Sequence, residues 1–127
     1  MQALTHDFIR RIPKSDLHLH LDGSLRVPTL IELARDAGVD LPSYDEEGLK
    51  ELVFKDRYEN LSEYLRGFAY TSAVLNSKER LERVAYELVE DNIAEGVRYV
   101  EVRFAPQLHM RADLGPETVV SAVERAL

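Results

Sequence analysis

Ser15-Asp16-Leu17-His18-Leu19-His20-Leu21-Asp22 alternates strictly, with leucine at 17, 19 and 21 and polar residues at 16, 18, 20 and 22. Such alternation predicts a β-strand. Pro13 before it and Gly23-Ser24 after it punctuate both ends. On a strand His18 and His20 face the same way, with Cα atoms roughly 6.5 Å apart. On a helix the same spacing separates them by about 200° around the axis. The strand therefore lets two imidazoles converge on one cation. Nitrogen ligands suit zinc, iron, nickel or copper better than magnesium or calcium. Two histidines do not complete a zinc site, which takes at least three protein ligands and, for catalysis, an open position. The residues Asp16, His18, His20 and Asp22 read equally well as the wet face of an amphipathic strand.

Helical periodicity dominates the chain that follows. Val27, Leu30, Ile31 and Ala34 recur at helical spacing, with Pro28 in the first turn and Gly38 as the stop. A short helix is expected over Glu46 to Val53. Asn60-Leu61-Ser62-Glu63 resembles a capping box with asparagine in place of serine or threonine. It leads into an apolar face of Leu61, Tyr64, Leu65, Phe68, Ala69 and Ser72. Ser77 caps a further helix with the face Leu81, Val84, Ala85, Leu88 and Ile93, and Gly96 ends it. Val97 to Ala105, rich in valine and aromatics, predicts a second strand stopped by Pro106. There Glu101 and Arg103 share one face, an ion pair of structural rather than catalytic character. Pro116 opens a last helical pattern through Val119, Val120 and Val123, with no stop signal before Leu127.

The order strand, helices, strand, helix predicts an α/β fold with parallel strands. Parallel sheets are buried on both faces and need more neighbours than two strands. This topology, with a final helix lacking a stop, leads us to expect that further polypeptide belongs beside these residues.

The chain has 127 residues, room for one domain, and its 45% apolar and 31% charged content is globular. The net charge of −7 argues against a nucleic-acid partner, which calls for a basic face. The absence of cysteine excludes disulfides, thiolate metal sites and the His/Cys/Cys zinc site of cytidine-type deaminases. The start, Met1 to Asp7, lacks the apolar core of a signal peptide, and no stretch approaches a membrane span. The expectation is a cytoplasmic protein with no membrane partner.

Pro13-Lys14-Ser15-Asp16-Leu17-His18-Leu19-His20-Leu21-Asp22-Gly23-Ser24 resembles the first strand of the adenosine deaminase family. Tyr99-Val100-Glu101-Val102-Arg103-Phe104-Ala105-Pro106 resembles that family's second strand, and the Val84–Glu87 and Glu95–Val97 stretches match in kind and order. The resemblance covers about Ile12 to Pro106. It implies the N-terminal part of a (β/α)8 TIM-type barrel, with extra helices between the first two strands and the active site at the strands' C-terminal ends. Residues 1–127 then form the N-terminal portion of one barrel domain, ending within a helix.

By similarity His18 and His20 are ligands of one Zn2+ ion, and Asp22 hydrogen-bonds a ribose hydroxyl with His20 near the sugar. Gly23 lets the chain turn away without obstructing the mouth. The polar 16-18-20-22 face points into the barrel while Leu17, Leu19 and Leu21 pack on outer helices. Leu61, Leu65 and Phe68 correspond loosely to an apolar helix over the pocket, an alternative to plain core.

The implied reaction is zinc-dependent hydrolysis of adenosine or deoxyadenosine to inosine and ammonia. The family's third zinc histidine, its acid glutamate, its orienting histidine and its Asp-Asp pair have no counterpart here. His6 and His109 are expected to be ordinary exposed histidines. This stretch alone should therefore be inactive and contain no complete catalytic set, requiring the C-terminal part of the barrel. Two alternatives stand beside this reading: a related deaminase of adenine or another modified purine nucleoside, and a non-catalytic binding module. The carboxylate of Asp22 favours a nucleoside.

Overall fold

The computed structural model describes residues 4–127, so the first three residues of the Met1–Asp7 stretch lie outside the described residues. A short helix α1 (His6–Arg11), for which the sequence reading gave no signal, leads into strand β1 (Lys14–His20). Four helices follow: α2 (Val27–Ala37), α3 (Glu46–Leu52), α4 (Leu61–Val74) and α5 (Lys78–Ala94). Strand β2 (Val97–Arg103), a 3-10 turn (Pro106–Leu108) and helix α6 (Pro116–Ala126) complete the chain. The two strands pair in parallel, as expected from their order.

Most boundaries follow local chemistry. Helix α2 carries proline in its first turn and stops at Gly38, whose φ of 67° is left-handed and suits glycine. Asn60 and Ser77 cap α4 and α5, accepting the backbone N–H groups of Glu63 and Arg80. The box at α4 is modified. The Glu63 carboxylate accepts from the backbone of Glu59 at 2.7 Å, one residue before the cap, and pairs with Lys55 at 2.7 Å. Both contacts hold its pKa below the ordinary carboxylate value, the Lys55 bond first.

Gly96 does more than end α5. Its φ is 83°, and a β-carbon there would lie 2.3 Å from the Arg10 carbonyl oxygen. The end of α1 is seated directly on this glycine, and the Lys14 ammonium gathers the Ile9, Arg10 and Ile12 carbonyls.

The core joins the helices and Leu21, the residue that follows β1. Leu21, Leu30, Ala34, Leu49, Val74, Leu75, Leu81, Val84, Ala85, Leu88 and Val119 are buried together. Helices α2 and α5 are also stitched by polar contacts. Arg26 grips Asp91 with bonds of 2.7 and 3.1 Å, Arg83 pairs with Glu32 at 2.7 Å, and Thr29 donates to Glu87 at 2.6 Å.

Several burial expectations are corrected. On α4 the buried residues are Gly67, Thr71 and Val74, whereas Leu61, Tyr64 and Leu65 are exposed. The small face wins because it allows close approach: a β-carbon on Gly67 would already lie 3.4 Å from Phe54 and from Val53. Ile93 and Val120 are likewise exposed at the margins of their helices. Leu17 does not pack on a helix; it is 57% exposed because β1 is not a regular strand. Asp16 pairs with Val100 and Leu19 with Val102, so Leu17 and His18 together oppose Glu101. This is a β-bulge, which breaks the alternation that the leucines follow in sequence. Glu101 and Arg103 form an exposed pair at 3.6 Å.

Candidate functional site

The bulge aims the histidines. Asp16 Oδ1 accepts the backbone N–H of His18 at 3.1 Å, closing a local turn at the irregular position. Beyond it the ladder resumes, with Leu19 opposite Val102 and His20 opposite Arg103. The two rings meet: the Nε2 atoms lie 3.1 Å apart, with centroids at 5.1 Å and planes inclined by 40°. Two nitrogens at that separation, each at an ordinary zinc–nitrogen bond length, subtend roughly 100° at a common metal. The geometry thus suits neighbouring ligands of one ion, and the imidazole pair fits zinc chemistry. Among the described residues no third histidine, cysteine or carboxylate joins them as a metal-holding group.

The backbone continues from His20 into Leu21, whose N–H donates to Arg103 at 3.0 Å and extends the parallel ladder by one step. Asp22 comes next and is 8% exposed. Its Oδ1 lies 3.8 Å from His20 Nδ1, too far for a hydrogen bond, and has no partner. Ser24 closes the turn by donating to the His20 carbonyl at 2.5 Å. Gly23 sits beneath Phe68, and a β-carbon there would touch that ring at 3.4 Å.

Asp22 and Gly23 form one wall of a pocket with about 460 Å³ of empty space, part of it open to solvent. Leu25, Phe54, Tyr58, Tyr64, Phe68 and Thr71 line the remainder with Gly67. The aromatic rings are stacked edge to face: Tyr58 on Tyr64 at 5.2 Å, and Tyr64 on Phe68 at 5.7 Å. Of the three residues expected over the pocket, Phe68 lines it, while Leu61 and Leu65 lie outside its lining, 69% and 50% exposed. Tyr64, on the same helix, and Phe54 and Tyr58, before it, were missed. They follow no helical repeat with the first strand, and only the fold brings them to Asp22.

His6 is exposed, as expected. His109 is not: it is completely buried behind the 3-10 turn that follows β2. Burial holds its pKa below the ordinary value of 6.5, opposed by the charge of Asp22 and the Leu75 backbone. The sequence reading missed it because nothing in Leu108-His109-Met110 announces that the turn folds this side chain inward.

The architecture recurs in solved structures. The adenine deaminase of Arthrobacter aurescens superposes with a TM-score of 0.76 at 31% identity, covering 89% of this chain and 34% of that one. The N6-methyl-AMP deaminase of Arabidopsis thaliana gives 0.74 at 28% identity, covering 96% and 35%. The fold is thus the deaminase type of (β/α)8 barrel, represented here by two parallel strands and the helices around them. A probable adenosine deaminase of Dictyostelium discoideum is 45% identical over 123 residues, 96% of this chain. The family model for adenosine deaminase matches residues 13–127. The chain belongs to the adenosine deaminase family. It spans 16% of the Dictyostelium relative and about a third of each of the two structures.

Proposed function

We propose that this chain is the N-terminal portion of a barrel that hydrolytically deaminates adenosine or deoxyadenosine, giving inosine and ammonia. The carrying observation is the approach of His18 Nε2 to His20 Nε2 at 3.1 Å, two residues before a buried Asp22 whose Oδ1 has no partner. In this reading His18 and His20 hold one Zn2+, and the remaining ligands, the general acid and the water-orienting groups come from polypeptide beyond these residues. Bound zinc supplies a water whose pKa falls toward neutrality.

The chain's own residues do the rest of the work assigned to them. Asp22 accepts a hydrogen bond from a ribose hydroxyl through its unpartnered Oδ1. His20 flanks the sugar. Phe54, Tyr58, Tyr64 and Phe68 offer aromatic faces to the base and exclude water around it. An acidic protein binds this substrate without electrostatic penalty because the nucleoside is uncharged.

A second reading follows from the structural relatives, one of which is named for adenine and one for N6-methyl-AMP. Asp22 favours a nucleoside over a free base, because a ribose hydroxyl is the donor assigned to its oxygen and a free base lacks it. No lysine or arginine is among the described residues lining this pocket, so a counter-ion for a phosphate would have to come from polypeptide beyond these residues.

The test is a comparison of kcat/KM for adenosine, adenine and AMP on the complete protein, with ammonia release as the readout. Adenosine should exceed each of the others by at least about a hundredfold, a difference of two hydrogen-bond-sized terms. Equal or better turnover of adenine or AMP contradicts the nucleoside assignment.

A further inference from the structure

Polar side chains are few in the pocket beside Asp22: Asp22 itself, Tyr58, Tyr64 and Thr71. Tyr58 and Thr71 are already bonded to the protein. The Tyr58 hydroxyl donates to the Val53 carbonyl at 3.1 Å, and the Thr71 hydroxyl donates to the Phe68 carbonyl at 3.3 Å. Asp22 and Tyr64 keep capacity to spare. Asp22 Oδ1 is buried and unpartnered, and the pocket-lining Tyr64 makes no hydrogen bond through its hydroxyl among the described residues. The Tyr64 ring is nevertheless held in place, packed edge to face with Tyr58 at 5.2 Å and with Phe68 at 5.7 Å. Phe68 in turn covers Gly23, where a β-carbon would lie 3.4 Å from its ring. A single ring therefore separates Tyr64 from the turn that carries Asp22. A phenol fixed by its neighbours, with a free hydroxyl at its tip, is preorganised to bond a ligand at small cost in side-chain entropy.

We propose that Tyr64 is a specificity-determining residue whose hydroxyl bonds a second hydroxyl of the sugar held by Asp22. The carboxylate only accepts, so it takes a sugar hydroxyl as donor. The phenol both donates and accepts, so it pairs with a hydroxyl in either direction. Leu25, Phe54 and Phe68 bring no polar side-chain atom to the rest of the lining. A further sugar hydroxyl carried into such surroundings without a partner would lose its water uncompensated. The Tyr64 hydroxyl removes that cost for a nucleoside with an intact sugar and leaves it standing for one that presents its hydroxyls differently. This rests on the reading of Asp22 as the ribose contact and extends it to discrimination among sugars.

The experiment measures turnover of adenosine and of its 2′-deoxy, 3′-deoxy and 5′-deoxy analogues by the complete protein, as wild type, Tyr64→Phe and Asp22→Asn. Tyr64→Phe keeps the ring and its packing. It should raise KM for adenosine about fivefold while kcat changes less than about twofold, the loss of one hydrogen bond's contribution to uniform binding. That loss should vanish on the deoxyadenosine lacking the hydroxyl that Tyr64 holds, and persist on the others. The loss from Asp22→Asn should shrink most on a different deoxyadenosine. Independently of turnover, binding of inosine followed by calorimetry should weaken about fivefold in Tyr64→Phe. An unchanged KM for adenosine, unchanged inosine binding, or a loss of one size on all four nucleosides overturns the inference while the functional reading stands. A loss of one size on all four nucleosides in Asp22→Asn overturns the ribose contact, and this inference with it. A wild-type protein that turns over no purine riboside overturns the functional reading as a whole.

Discussion

His18 owes its direction to a single carboxylate. Asp16 holds the His18 N–H at the bulge, and the bulge is what separates the exposed Leu17 from the converging histidine pair. Asp16→Ala leaves that N–H without its acceptor and frees the bulge to relax. Metal affinity of the complete protein should then fall about tenfold, the usual scale for an outer contact of a ligand, as read by competition with a chelator. An unchanged affinity would show that the rest of the strand sets the ring by itself.

His109 gives a second residue-level outcome. Its folded-state pKa lies below 6.5 because burial disfavours the cation. The unfolded chain therefore binds a proton that the native state resists. The stability due to the neutral ring is complete above pH 6.5 and is lost as pH falls through the lowered folded value. Asp22 works against this shift, while Arg111 and burial favour it. The urea midpoint should drop between pH 7.5 and 5.5, and His109→Leu should reduce that drop. A variant as acid-sensitive as the wild type would show that protonation of His109 does not drive the acid destabilisation.

At the level of elements, the strands, caps and stops were legible because each has a local cause. Alternation marked β1, Pro28 and Gly38 bounded α2, and Asn60 and Ser77 stood at helix starts that the structure uses. What sequence periodicity could not show is which of two possible faces a helix buries. Leu61, Tyr64 and Leu65 are the more apolar face of α4, yet Gly67, Thr71 and Val74 pack inward because small residues let the helix approach Val53 and Phe54. The bulge was equally silent, since it arises from pairing with β2 and not from the order of residues in β1. The helix α1 has few apolar positions and holds by docking on Gly96. Gly96→Ala sets a β-carbon against the Arg10 carbonyl at a left-handed φ of 83°. We expect a loss of at least about 2 kcal/mol in chemical denaturation. A loss within experimental error would mean that α1 can detach without consequence for the fold.

For the molecule as a whole, two parallel strands bring three separated pieces of sequence to one end of the sheet. The histidine pair and Asp22 come from β1 and its exit, the aromatic wall from α3 to α4, and His109 from the turn after β2. The first of these was readable in eight consecutive residues, because ligand spacing on a strand is a local property. The other two depend on contacts across more than thirty residues of chain and had no local signature. The resemblance of both strands to one family supplied the barrel, and family membership over residues 13–127 agrees with it.

In the proposed function the rings of His18 and His20 share one metal ion. Zinc per protein molecule, measured by mass spectrometry of the complete protein after exhaustive dialysis, tests it directly. We expect one zinc in the wild type and a small fraction of one in each of His18→Ala and His20→Ala. Full stoichiometry retained in either variant would contradict it.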